Sequence, residues 1–173
     1  MGNQTGQMSK YKPAEMLAPL RLFVDARRRA LEAGFTDNGG AIHSIERILD
    51  ILAQRLCYPF ISHINSLKKH PNADCSVAAF EARSTGGRLF IEHVMPQREY
   101  ARRICDMIES GASDEALLHY VRQTYRLVIL TEEETLNLNR QNRSRLSPDR
   151  LADAGIVVRA GECPLPEAGR IER

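Results

Sequence analysis

The amino-acid sequence predicts a mainly helical α+β domain, about six helices with a small sheet of two to four strands. Three observations carry this expectation. Apolar residues recur at three- and four-residue intervals through most of the chain. Short stretches rich in strand formers interrupt that period. Gly, Pro and Asn fall at the joins, with helical and strand-like stretches interleaved.

Residues 1–12 are polar and aperiodic and read as a flexible N-terminal arm. From 13 to 33 the spacing is helical: Leu17, Leu20, Val24 and Leu31 share a face with Phe23 beside them, and Gly34 is a natural stop. Pro19 either opens the main helix or kinks a longer one. After a loop over 36–40, Ile42, Ile45, Leu49, Leu52 and Leu56 define a second helix that Pro59 ends. A shorter helix follows with Phe60, Ile64 and Leu67 inward, and Lys68-Lys69-His70 at its negative end.

Residues 77–83 and 88–95 flank Ser84-Thr85-Gly86-Gly87 and read as a hairpin with a four-residue loop. A helix over 97–109 turns Tyr100, Ile104, Met107 and Ile108 inward and ends at Gly111. Ser113 caps the next helix, whose buried side is Leu117, Leu118 and Val121. The run 125–130 reads as a buried central strand. Thr131 and Glu134 then have capping-box spacing. The helix they open frays over 140–145. Ser147-Pro148-Asp149 starts a last short helix, and 156–158 reads as an edge strand. The expected organisation is one globular domain over 13–158, with a loose Pro-rich tail over 159–173.

Composition narrows the function. At 173 residues, with Leu, Ile, Val and Phe about a quarter of the total, the chain can build a real core. A net charge of +2 and a pI near 8.4 lie below the basicity of a dedicated nucleic-acid domain, so polyanion contact must come from local clusters. Cys57, Cys75, Cys105 and Cys163 are scattered without a CxxC pair, which disfavours a zinc knuckle and suits reduced thiols in a cytoplasmic protein. No apolar run nears the roughly 20 residues that span a bilayer, and no membrane partner is expected.

The residues richest in chemistry are Ile91-Glu92-His93-Val94-Met95-Pro96, where a strand-like run ends in an acid, an imidazole and a proline. Glu92-His93-x-x-Pro96 resembles the opening of HNH endonuclease motifs. That resemblance implies His93 as general base beside a divalent metal held by an acid such as Glu92. The Asn and second His of that pattern are missing between Val94 and Leu118. Neighbouring strand residues also point to opposite faces, so Glu92 and His93 serve one pocket only if the strand breaks at His93. Asp74, Glu81 and Arg83 resemble a PD-(D/E)xK set, with Arg where lysine is usual. Either set would need a divalent metal; without one, no cofactor is expected.

Two arginine clusters complete the candidates. Arg27-Arg28-Arg29 fan around a helix, with Arg21 adding to the ridge; their alternative fate is pairing with Asp25 or Glu32. Arg140, Arg143, Arg145 and Arg150 lie among Asn139, Gln141 and Asn142, a mixture suited to phosphate contact. With 6% aromatics and no Trp, base stacking is disfavoured. The expected function is therefore a small accessory or interaction protein that meets nucleic acid or a nucleoprotein complex through Arg27, Arg28, Arg29, Arg140, Arg143 and Arg145. The alternatives are a metal-dependent nuclease using His93 with Glu92 or Glu81, and a protein-binding module or homodimer using the broad apolar arc of the second helix.

Overall fold

Several helices in this protein start at a side-chain cap or a proline, and several stop at a glycine. The computed structural model describes residues 12–142, 147 and 149–161. The arm over 1–11, Arg143, Arg145 and the tail beyond 161 lie outside the described residues. In chain order the α-helices are α1 (Leu17–Glu32), α2 (His43–Cys57), α3 (Val77–Ser84), α4 (Gln97–Glu109), α5 (Asp114–Thr124), α6 (Glu132–Asn142) and α7 (Arg150–Asp153). The strands are β1 (Cys75–Ser76), β2 (Leu89–His93), β3 (Leu127–Thr131) and β4 (Val158–Arg159). The mainly helical α+β expectation is met, with one four-stranded mixed sheet among the described residues.

The chain forms two compact units, each made of two separate stretches: 1–64 with 95–126, and 65–94 with 127–173. The first unit is helical. A 3-10 turn at Pro13–Met16 leads into α1, and Pro19 sits in the first turn of α1, where its missing N–H costs nothing. Leu17, Leu20 and Val24 are buried as the period predicts, whereas Phe23 and Leu31 stay exposed. α2 packs against α1, α4 and α5, burying Ile45, Leu49 and Leu52, with Ile42 buried just ahead of it. Ser113 caps α5 by accepting from the Ala116 N–H at 3.2 Å. Phe60 is 44% exposed, so its expected inward placement is corrected.

The second unit holds the sheet, in the order β2-β3-β1-β4. β3 is the central strand foreseen from its continuous apolarity, and Leu127 through Leu130 are fully buried. It pairs antiparallel with β2, Ile91 opposite Ile129, and parallel with β1, Cys75 opposite Ile129. β1 also pairs antiparallel with β4. The segment before the sheet is a 3-10 helix, Ile64–Lys69, with Leu67 buried. The last strand falls at Val158–Arg159 instead of 156–158, because Ile156 turns into the core while Val157 faces out.

The expected hairpin is not formed. Residues 77–84 are helix α3, because Ser76 accepts from the Ala79 N–H at 2.9 Å and Ala78 and Ala79 favour the helix it opens. Gly86 then takes a left-handed φ of 75°, and the Gly87 N–H reaches back to the Ala82 carbonyl at 2.8 Å. That is a glycine-centred helix stop, not a hairpin loop. A Cβ at Gly87 would meet the Ala82 Cβ at 2.9 Å, so the close approach needs glycine there too.

β1 and β3 run parallel, and each passes directly into a helix. Glu134 ties the two exits together. Its Oε2 accepts from the Ser76 hydroxyl at 2.6 Å and from the Thr131 N–H at 2.9 Å, while the Glu134 N–H donates to Thr131 Oγ1 at 3.3 Å. The capping box read from the sequence is therefore present, with an extra bond to the cap of α3. Glu134→Ala is expected to cost about 1–2 kcal/mol in chemical denaturation, because it removes a cap and orphans the buried Ser76 hydroxyl. The cost in a Ser76→Ala background should be smaller than in the parent, since both act on one network.

Candidate functional site

The Glu92-His93 pair lies at the end of β2, still in regular register: Glu92 is opposite Val128 and His93 opposite Leu127. The strand therefore does not break at His93, and the two side chains leave opposite faces of the sheet. Glu92 shares its face with Val128 and Leu130, over which Leu138 of α6 and Leu151 of α7 close an apolar cluster. There it meets Arg150, 7% exposed, at 3.5 Å. Burial pushes the Glu92 carboxyl above its usual range, against the pull of Arg150 and then of His93. Burial likewise lowers the Arg150 guanidinium more than Glu92 restores it. The Arg150 Nε is buried without a hydrogen-bond partner among the described residues. This is a loose, desolvated ion pair. It holds α7 to the sheet and leaves Glu92 poorly placed to ligate a metal.

The second nuclease set is also dispersed. Glu81 and Arg83 sit on α3 instead of a strand, where two residues apart means about 200° of rotation. The Arg83 guanidinium donates to the His70 carbonyl at 3.2 Å. Asp74 accepts from the Gly161 N–H at 2.8 Å. Among the described residues, no group of three or more His, Cys, Asp or Glu side chains is placed to hold a metal ion. The sequence-derived pairing of His93 with Glu92 or Glu81 at one centre is thus not brought together.

The first arginine cluster is committed to acids of its own unit. Arg27, its side chain 12% exposed, grips Asp37 through Nε at 2.8 Å and Nη2 at 3.0 Å. Arg102 of α4 adds a third bond to Asp37 at 3.0 Å. Arg28 spans Asp25 and Glu32 at 2.7 Å each, and Arg29 reaches Asp25 at 2.9 Å. Arg21 binds Asp114 at 2.7 Å. Arg98 extends the same economy, bonding Glu46 at 3.1 Å and Asn38 at 2.7 Å. These bonds fasten the loop between α1 and α2 to both α1 and α4. Of the three residues expected to form a modest basic ridge, Arg27 is a structural anchor, while Arg28 and Arg29 stay exposed and pair with acids along their own helix.

The second cluster differs. Arg140 is exposed in the last turn of α6 and makes no ion pair among the described residues. Asn139 and Gln141 beside it are exposed as well. Arg143 and Arg145 lie outside the described residues, while Arg150 is taken up by Glu92.

Phe35 and Phe60 are exposed rings of the helical unit, whereas the two phenylalanines of the sheet unit lie beneath cations. Phe90 lies under Lys68 and Arg88, at 5.7 and 5.1 Å, and Phe80 lies under Arg159 at 4.1 Å. The apolar arc of α2 is likewise not a free face: Ile48, Ile51 and Leu56 are all at least partly covered. No described helix is long and apolar enough to cross a membrane. No family model matches the chain, no curated protein matches its sequence, and no solved structure matches its fold.

Sequence reasoning placed Arg150 in a phosphate-binding cluster instead of against Glu92, and it missed the role of Asp37. The acid was visible as a loop residue, but its partners lie on two helices whose approach only the tertiary structure reveals.

The carboxylates of Asp37 and Glu92 respond oppositely to acid. The Arg27 fork holds Asp37 below the usual aspartate range, against partial burial, and Arg102 reinforces it. A lowered folded value gives stability that is present above the unfolded value, about 3.9, and lost as pH falls through the folded value. Asp37→Asn should therefore cost about 2–3 kcal/mol at pH 7 and flatten the loss of stability below about pH 4, read from urea midpoints. Glu92, raised by burial, should gain relative stability as pH falls through its folded value. Arg150→Ala should cost about 3 kcal/mol by stranding Glu92, whereas Glu92→Leu with Arg150→Met should be neutral or stabilising. A double variant less stable than the parent would show that the pair is net favourable.

Proposed function

We propose that the protein is a small accessory or interaction protein that contacts nucleic acid, or a nucleoprotein complex, through Arg140, Arg143 and Arg145. The observation supporting this is the contrast between the clusters. A guanidinium already bonded to two carboxylate oxygens has no free fork for a phosphate, and that is the condition of Arg27 and Arg28. Arg140 stands exposed among amides at the end of α6, and the sequence continues with two more arginines.

In the unit that carries Arg140 the rings of Phe80 and Phe90 lie under cations, which favours contact with the phosphate backbone over bases. The near-neutral total charge makes that contact weak and local. A cytoplasmic setting belongs to the same proposal, resting on the scattered cysteines, of which Cys57, Cys75 and Cys105 are free thiols.

Fluorescence anisotropy with labelled DNA and RNA, over about 50–200 mM salt, tests it. Three phosphate contacts give a log–log slope of about −2 to −3. Reversing Arg140, Arg143 and Arg145 to Glu should abolish binding, while Arg28→Gln with Arg29→Gln should leave it within about twofold. Salt-insensitive binding, no binding at all, or equal loss from both sets of variants would overturn the reading.

A further inference from the structure

The outward face of α6 carries a pattern of which the nucleic-acid reading uses only Arg140. Thr135 and Leu138 are buried beneath the helix, and Glu132, Glu133, Leu136 and Arg140 stand outward. Leu136 is 52% exposed at the middle of this face. Glu132 and Arg140 are each four residues from it, about 6 Å along the axis in opposite directions. Glu132 is partly engaged, receiving Arg88 at 3.2 Å. Glu133 and Arg140 form no ion pair among the described residues, and at seven residues apart they cannot reach each other easily. Beside this face lies an open groove of about 670 Å³, lined among the described residues by Glu132, Glu133, Glu134, Leu136, Asn137 and Arg140.

From this charge pattern we propose that the outward face of α6 docks against the same face of a second copy of the chain, antiparallel and about a two-fold axis at Leu136. In that arrangement Leu136 meets Leu136 of the other copy, and the acids of each first turn lie level with Arg140 of the other. Both ends are satisfied at once, which is what an isologous contact requires. The helix macrodipole by itself favours acids in the first turn and a cation in the last. It does not account for a half-exposed leucine at the midpoint between them. The face is small compared with a stable dimer interface, so self-association is weak, with Kd on the order of 100 µM.

Sedimentation velocity on the full chain, without nucleic acid and over about 5–500 µM, tests the pairing. The weight-average mass should rise with concentration from 19.5 kDa toward twice that value. Leu136→Glu should hold it at the monomer. Glu133→Arg makes the face wholly basic at these two positions and Arg140→Glu makes it wholly acidic; each alone should lose association tenfold or more. An equimolar mixture of the two should associate again, because both cross-pairs are restored. Circular dichroism should show both variants folded, since neither position is buried. Glu133→Arg keeps Arg140 and should still bind nucleic acid, so failure of the pairing and failure of the proposed function are read separately. A monomer at every concentration, association indifferent to Leu136→Glu, or a mixture that stays monomeric would each overturn the two-fold contact.

Discussion

Asp37 is the residue on which the helical unit most depends. It sits in the loop between α1 and α2, only 9% exposed at its side chain, and receives bonds from Arg27 of α1 and Arg102 of α4. A carboxylate so placed must be paired, because an isolated charge out of water is costly. The pairing reaches outward from there. Arg98 holds Glu46 and Asn38 on either side of the same loop, and Arg28 and Arg29 close on Asp25. Arginine is abundant in this unit because its acids need partners as the helices pack, and a count of cations in the sequence overstates what is left for a ligand.

The sheet unit solves a different problem. Its parallel strands end where two helices begin, and converging helix starts bring unsatisfied N–H groups together. Glu134 answers with one carboxylate shared between the caps of α3 and α6. On the face beneath α6 and α7, half-buried Glu92 and buried Arg150 lie against Val128 and Leu130, where desolvation outweighs their attraction. Such a pair selects which segment of chain covers the sheet more than it strengthens the covering.

Local chemistry was legible in the sequence to the extent that it was local. The helix over 97–109, the central strand, the Ser113 cap and the Thr131–Glu134 box all depend on residues within one turn of each other, and all are present. The Arg28 pairs with Asp25 and Glu32, three and four residues away, were readable as an alternative for the same reason. The hairpin failed because Ser84-Thr85-Gly86-Gly87 suits a strand turn and a helix stop equally well. The deciding signal was Ser76, a cap lying outside the segment being read. At the candidate site, strand alternation already separated Glu92 from His93. That Arg150 would come to lie against Glu92 was not legible, because nothing in the intervening residues specifies that approach.

The two compact units share the chain by turns: 1–64, then 65–94, then 95–126, then 127–173. During synthesis the helical unit waits for α5 to leave the ribosome, and β2 emerges well before β3, the strand it pairs with. Cutting at the middle crossing leaves both units incomplete, and cutting at either of the others splits one of them. A protease nick or a premature stop in the second half of the message would thus be felt by residues made first, and a shortened fragment is a poor stand-in for the whole.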